Sequence, residues 1–174
     1  MIGISLMVFR LNSSDGVQNS DFNPSRAGLG VRFFEEVMAF DYEDYPTTIE
    51  GVMEEYLKTV QLLYGDMIVN QELIMPIIEV QRKMFSVQIL ELNSIESQYH
   101  ALTLSLEELK EQDIRLISSD IRLISQDVFN SNVFNVDLVK QYTTIGAVNK
   151  RYRLQKNQSD NRWKIAGWEI IDRK

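Results

Sequence analysis

Moving a proton on or off carbon requires a base, plus a group that holds the oxyanion formed, so tyrosines and aspartates are the first residues to place. Tyr56 and Tyr64 share one apolar segment, Tyr142 sits in a later one, and Asp120, Asp127 and Asp137 lie nearby. A desolvated carboxylate beside a tyrosine hydroxyl would be a metal-free acid–base site. Asp137 and Tyr142, however, are five residues apart and face opposite sides of a regular strand. The preferred reading makes the tyrosines core or rim and the aspartates solvated, so no catalytic, cofactor-binding or metal-binding residue is assigned, and no particular ligand contact.

Other chemistries find less support. His100 is the sole histidine, and a lone histidine in an ordinary helix is more often a surface or partly buried polar residue than a metal ligand or a base. The chain has no cysteine, which removes disulfides, thiolate zinc sites and a lipid-modified cysteine anchor but leaves the redox compartment open. Gly28 to Gly30 reads GLG, without the third glycine or preceding strand of a dinucleotide fingerprint. Neither a P-loop nor a nucleophile elbow occurs, and no cofactor is expected. Trp163 and Trp168 read as core or dimer contacts rather than a ligand pocket. Met53, Met67, Met75 and Met84 read as gap-filling core.

Elements able to position such residues begin near Phe33. In residues 44–66, Thr47 or Thr48 starts a helix, Glu50, Glu54 and Glu55 favour its early turns, and Gly65 stops it. Val52, Tyr56, Val60 and Leu63 form its apolar stripe. A second helix spans 72–92, with Pro76 as a break or fresh start, and a third spans 94–112 behind Ser94. Downstream, residues 135–144, 146–156 and 161–172 alternate as strands, with KNQSD as the last turn. In the final strand Trp163, Ile165 and Ile171 share one parity and Lys164, Trp168 and Ile170 the other, with Gly167 relieving crowding between them.

Between helices and strands, IRLIS occurs twice, seven residues apart, in Ile114 to Ser125. On a helix this keeps Ile114, Ile117, Ile121, Ile124 and Val128 on one side; on a strand an odd repeat reverses faces. Only two heptads are present, Ser118, Ser119 and Asp120 are poor helix interior, and the chain beyond is β, so a strand is expected. A bulge or sharp bend near Ser118 to Asp120 must then return both apolar sets to one face. The expected fold is α+β, three N-terminal helices packed on a strongly bent antiparallel sheet.

Composition agrees with one domain of 174 residues, 44% hydrophobic and 25% charged. Residues 1–139 hold 9 Lys/Arg and 22 Asp/Glu, a balance of -13, and residues 140–174 hold 9 and 3, a balance of +6. The acidic surplus repels a polyanion, so no nucleic-acid partner is expected and the basic strands should partly neutralise the acidic helices. At the start, Ile2 to Phe9 is an apolar run of eight, too short to span a bilayer and without the basic residues and cleavage site of a signal peptide. Asn12 to Gly30 has the composition of a linker. The expected division is a tail or anchor remnant over 1–32 and one domain over 33–174.

The stretch MAFDYEDYPTTIEGVMEEY (Met38 to Tyr56), with RWKIAGW (Arg162 to Trp168) near the end, resembles the nuclear-transport-factor-two-like superfamily of cone-shaped α+β domains over Val37 to Asp172. More narrowly, it resembles an uncharacterised bacterial branch often found behind an N-terminal anchor or signal sequence. Where that branch carries its anchor, this chain shows eight apolar residues. The resemblance implies a cone that is either an active site, as in ketosteroid isomerases and epoxide hydrolases, or a binding or dimerisation surface. It implies an extracytoplasmic or membrane-anchored location, against a cytoplasmic one if the N-terminus is genuine, with any membrane contact made through that anchor. The leading expectation is a non-catalytic ligand-binding or interaction domain, homodimeric through its open sheet face, with a small hydrophobic ligand in the cone. The alternative is a metal-free isomerase or hydrolase.

Overall fold

The computed structural model describes residues 24–65 and 71–171, with side chains from residue 31. Five helices precede four strands: α1 (Pro24–Met38), α2 (Ile49–Tyr64), α3 (Gln71–Lys83), α4 (Val87–Leu92), α5 (Ile95–Glu111), β1 (Leu116–Gln126), β2 (Val133–Tyr142), β3 (Gly146–Lys156) and β4 (Trp163–Ile170). The α+β class and the antiparallel sheet are as expected; the described residues form five helices rather than three.

Local chemistry explains α2 and α5. The Thr48 hydroxyl accepts the Gly51 N–H at 3.0 Å, and the Gly65 N–H closes the other end on the Gln61 carbonyl. Ser94 caps α5 through the Ser97 N–H at 3.2 Å. The two extra helices have separate origins. α1 starts at Pro24, inside the stretch read as linker and across the boundary drawn at residue 32; Phe33, Phe34 and Val37 pack it on the core. Residues 1–23, with the apolar run and the rest of that linker, lie outside the described residues, as does Met67. The second expected helix divides after Lys83, not at Pro76, which sits inside α3. Pro76 is six residues into the helix, where its missing N–H removes a single intrahelical bond. The division arises because Met84 and Ser86 hydrogen-bond to Ile165 beside β4 and the Ser86 hydroxyl caps α4.

The sheet runs β1-β2-β3-β4, all antiparallel. α2 lies against it, touching β1 and β4, and the face under α2 is called inner below. β1 is a strand with two register shifts, one at Leu116/Ser118, at the edge of the expected stretch Ser118 to Asp120, and a second beyond it at Ile121/Leu123. The first returns Ile121 to the face of Leu116 and the second adds Ile124, so these three oppose Tyr142, Leu138 and Val136 on the inner side. The repeat is thus not repeated in space: Leu116 is buried and Leu123, its counterpart, is exposed.

A third irregularity corrects the parity expected for β4. Leu154 opposes Ile165 and Tyr152 opposes Trp168, so Ala166 is extra and Trp163, Ile165, Trp168 and Ile170 all face inward. The tryptophans share a face. Gly167 relieves no crowding, since a Cβ there would meet nothing within 4 Å. Gly146, at φ +74°, does need its glycine, where the β2–β3 turn enters the left-handed region.

Helices and sheet close on one core centred on Val52, Met53, Ile77, Ile78, Met84, Leu138, Leu154 and Ile165, all essentially inaccessible. Lys58 pairs with Glu36 and Glu55 across α1 and α2, and Arg151 with Asp137 within the sheet, so these pairs do not join acidic helices to basic strands.

Candidate functional site beneath helix α2

Alternation along β2 sends Val136, Leu138, Lys140 and Tyr142 to the inner face, so a lysine occupies a position that otherwise takes apolar residues. Lys140 is 3% exposed. Its Nζ donates to the Tyr152 hydroxyl at 3.2 Å and lies 5.7 Å from the Tyr152 ring centre and 5.9 Å from that of Tyr56. The Tyr56 ring lies 5.4 Å from that of Tyr152, and the two hydroxyls act on each other, which links β2 through β3 to α2. Tyr64 and Tyr142 complete the surround, close enough to act electrostatically on these hydroxyls.

Burial dominates the protonation of the cluster. It holds the Lys140 amine well below the usual lysine range, and the charge of Lys150, on the same inner face of β3, pushes the same way. Lys150 is itself lowered by burial. Burial raises all four tyrosines: Tyr142 to about 12, and Tyr56, Tyr64 and Tyr152 upward without ionised neighbours that would reverse it. At neutral pH the centre holds four phenols and a lysine that gains little from being charged.

The cluster lies under an accessible rim. Lys150 opposes Ile170 across β3 and β4, and Trp168 stands beside them over Tyr152, with ring centres 6.2 Å apart. Trp168 is 43% and Ile170 42% exposed, so apolar surface is accessible beside Lys150.

The sequence-derived candidates are divided between this site and elsewhere. Tyr56, Tyr64 and Tyr142 come together; the three aspartates do not join them. Asp137 forms a two-pronged ion pair with Arg151 at 2.7 and 2.8 Å on the outer face. Asp120 is exposed, 3.5 Å from the Ser118 hydroxyl, and Asp127 accepts the Phe129 and Asn130 N–H groups in the β1–β2 turn. Asp137 and Tyr142 point apart, as alternation requires. His100 is exposed on α5, and no group of three His, Cys, Asp or Glu able to hold a metal occurs among the described residues. Trp163 packs edge-on against Phe134 at 5.3 Å, while Trp168 belongs to the rim. Met53 and Met84 are core and Met75 is partly buried. Sequence reasoning missed Lys140, Lys150 and Tyr152. The available signal was a charged residue at an inward, apolar parity in Val136 to Tyr142.

The stretches that carry the superfamily resemblance meet at the opposite edge. The Tyr45 hydroxyl donates to the Trp163 carbonyl at 2.6 Å, Arg162 donates to the Tyr42 carbonyl at 2.6 Å, and Lys164 lies 4.1 Å from the Tyr45 ring centre while donating to the Lys83 carbonyl. They fasten the loop before α2 to β4, a structural rather than chemical role.

No described helix is long and apolar enough to cross a membrane. No curated protein matches the chain. Among solved structures, the crystal structure of the intermembrane space region of the chloroplast protein ARC6 is similar at 9% identity and TM-score 0.32, covering 88% of this chain and 100% of that one, a likeness too distant to carry an argument. The family model described as a domain of unknown function, DUF6715, matches residues 29–168, and the chain belongs to that family.

Proposed function

We propose that this is a non-catalytic ligand-binding domain whose ligand enters the inner face beneath α2, in a cone of the nuclear-transport-factor-two-like kind. The observation that carries the reading is Lys140, a buried amine with one hydrogen-bond partner beneath a partly exposed aromatic and aliphatic rim. Burying an amine without matching all its protons costs stability, and a site that receives a polar group from outside recovers part of that cost. The helix-first order and the bulges that bend β1 and β4 support the cone. Acid–base catalysis is the weaker reading, because it needs a carboxylate beside a tyrosine and Asp120, Asp127 and Asp137 are all engaged or exposed elsewhere.

Self-association through the outer face of the sheet is part of the same proposal. That face carries Asp120, Asp137, Arg151, Arg153 and Glu169, opposite charges that a twofold interface can pair. Sedimentation of the purified domain over a hundredfold concentration range reads it directly, and a constant monomer mass refutes it.

The ligand site is tested with the fluorophore 1-anilinonaphthalene-8-sulfonate on the native protein. Saturable enhancement is expected, with one site per chain, lost in Ile170→Asp while circular dichroism stays unchanged. Enhancement that survives in the folded variant, or none in the parent, overturns the assignment.

A further inference from the structure

The inner face has a charge pattern that selects among ligands. Lys140 and Lys150 stand on adjacent strands, diagonal to each other in register, because Lys140 opposes Val148 and Lys150 opposes Leu138. Among the described residues no carboxylate faces them from the elements packed around: α2 contributes Tyr56 and Tyr64, β2 Tyr142, β3 Tyr152, β1 Ser119, and β4 Trp168 and Ile170. Glu55, the partly buried acid of α2, is held by Lys58 at 3.0 Å. Two lysine amines on one largely buried face, with no described carboxylate opposite them, can each gain a charge-assisted hydrogen bond with an incoming anion.

We infer that the inner face takes an amphiphilic organic monoanion, its carboxylate between Lys140 and Lys150 and its apolar body along Trp168 and Ile170. This deepens the ligand-binding reading above and rests on it. A charge-assisted hydrogen bond from a buried amine to a carboxylate is about twice as strong as a neutral one, and two donors converging on one carboxylate fix its orientation. The tail replaces water over the exposed faces of Trp168 and Ile170, a transfer that is favourable for any apolar chain and therefore does not discriminate by charge. Selection for an acid over the alcohol of the same length comes from the lysines alone. The pair of Tyr56 and Tyr152 adds a polar wall that holds the Lys140 amine in place without competing as an anion, since burial keeps its hydroxyls protonated.

The test compares octanoate with 1-octanol by titration calorimetry and by Trp168 fluorescence, on the parent chain and on the Lys140→Met and Lys150→Met variants, with circular dichroism to verify folding. Octanoate is expected to bind at least about tenfold more tightly than octanol, as befits one charge-assisted hydrogen bond, with the preference removed in either folded variant and octanol affinity unchanged. Equal affinity for the two probes, or octanoate binding untouched by both substitutions, overturns the charge selection and leaves a neutral apolar site. Failure of both probes to bind overturns the ligand-binding reading itself.

Discussion

Replacing Lys140 by methionine should stabilise the unliganded domain. Methionine has nearly the same length and no branch, so it fills the lysine's space between Tyr56 and Tyr152 without a cavity. The substitution loses one hydrogen bond to Tyr152, a net contribution of about 0.5–1.5 kcal/mol. Against this, an ammonium has three donors, and the two not given to Tyr152 face aromatic rings; releasing such under-satisfied polarity from a core recovers roughly 1–3 kcal/mol per group. The balance favours methionine by about 1–3 kcal/mol at pH 7, which for a domain of this size raises Tm by about 3–10 °C. The pH dependence has a definite sign. Burial lowers the amine in the folded state, so between that lowered value and the unfolded value near about 10.4 the unfolded chain binds more protons, and folding stability rises with pH. The advantage of Lys140→Met is therefore largest at neutral pH and shrinks toward about pH 10. Urea unfolding at pH 7 and pH 9.5, followed by circular dichroism, measures both effects. A variant destabilised by more than about 1 kcal/mol at pH 7 would show that the amine is a net structural bond, and the argument from its incomplete satisfaction would fail.

Two further outcomes follow from other parts of the molecule. Thr59→Val removes the hydroxyl that accepts from Gln81 at 2.9 Å and donates to the Tyr56 carbonyl at 2.6 Å, leaving a buried amide unmatched between α2 and α3; a loss of about 1–3 kcal/mol is expected by urea unfolding, with part recovered in the double variant Thr59→Val, Gln81→Leu. Gly167→Ala should leave stability within about 0.5 kcal/mol, because its Cβ meets open space, whereas Gly146→Ala should cost about 1 kcal/mol at its positive φ; equal effects at the two positions would contradict the backbone assignment.

The contrast between elements shows what a sequence can display. α2 was legible to within one residue at its start, Thr47 or Thr48, and at Gly65 at its end, because the capping residues act within one turn of themselves. The break between α3 and α4 was not, since it depends on pairing with Ile165, some eighty residues away, while Pro76 gave a stronger local signal at the wrong place. α1 was hidden behind a glycine- and serine-rich composition whose helical outcome depends on Phe33, Phe34 and Val37 finding the core. An odd repeat required β1 to be irregular, but which residues are extra is decided by its register against β2. For β4, one extra residue at Ala166 put both tryptophans on one face where strict alternation separates them. Lys140 was visible as a polar residue at an apolar position; its partnership with Tyr152 and Lys150 required the register of β2 and β3.

That division also says where function resides in this fold. Tyr42, Tyr45, Arg162 and Lys164, from the stretches that make the chain look like a known superfamily, spend their polar atoms tying one loop to one strand, and they leave no unsatisfied group for a ligand. Lys140, Lys150 and Tyr152 come from strands with no recognisable motif, yet they gather two lysine amines that no described carboxylate faces. The residues that carry a family resemblance and those that could carry chemistry are thus different sets in this chain. Exchanging the inward side chains of β2 and β3 should change what the domain holds without disturbing the contacts by which its fold is recognised.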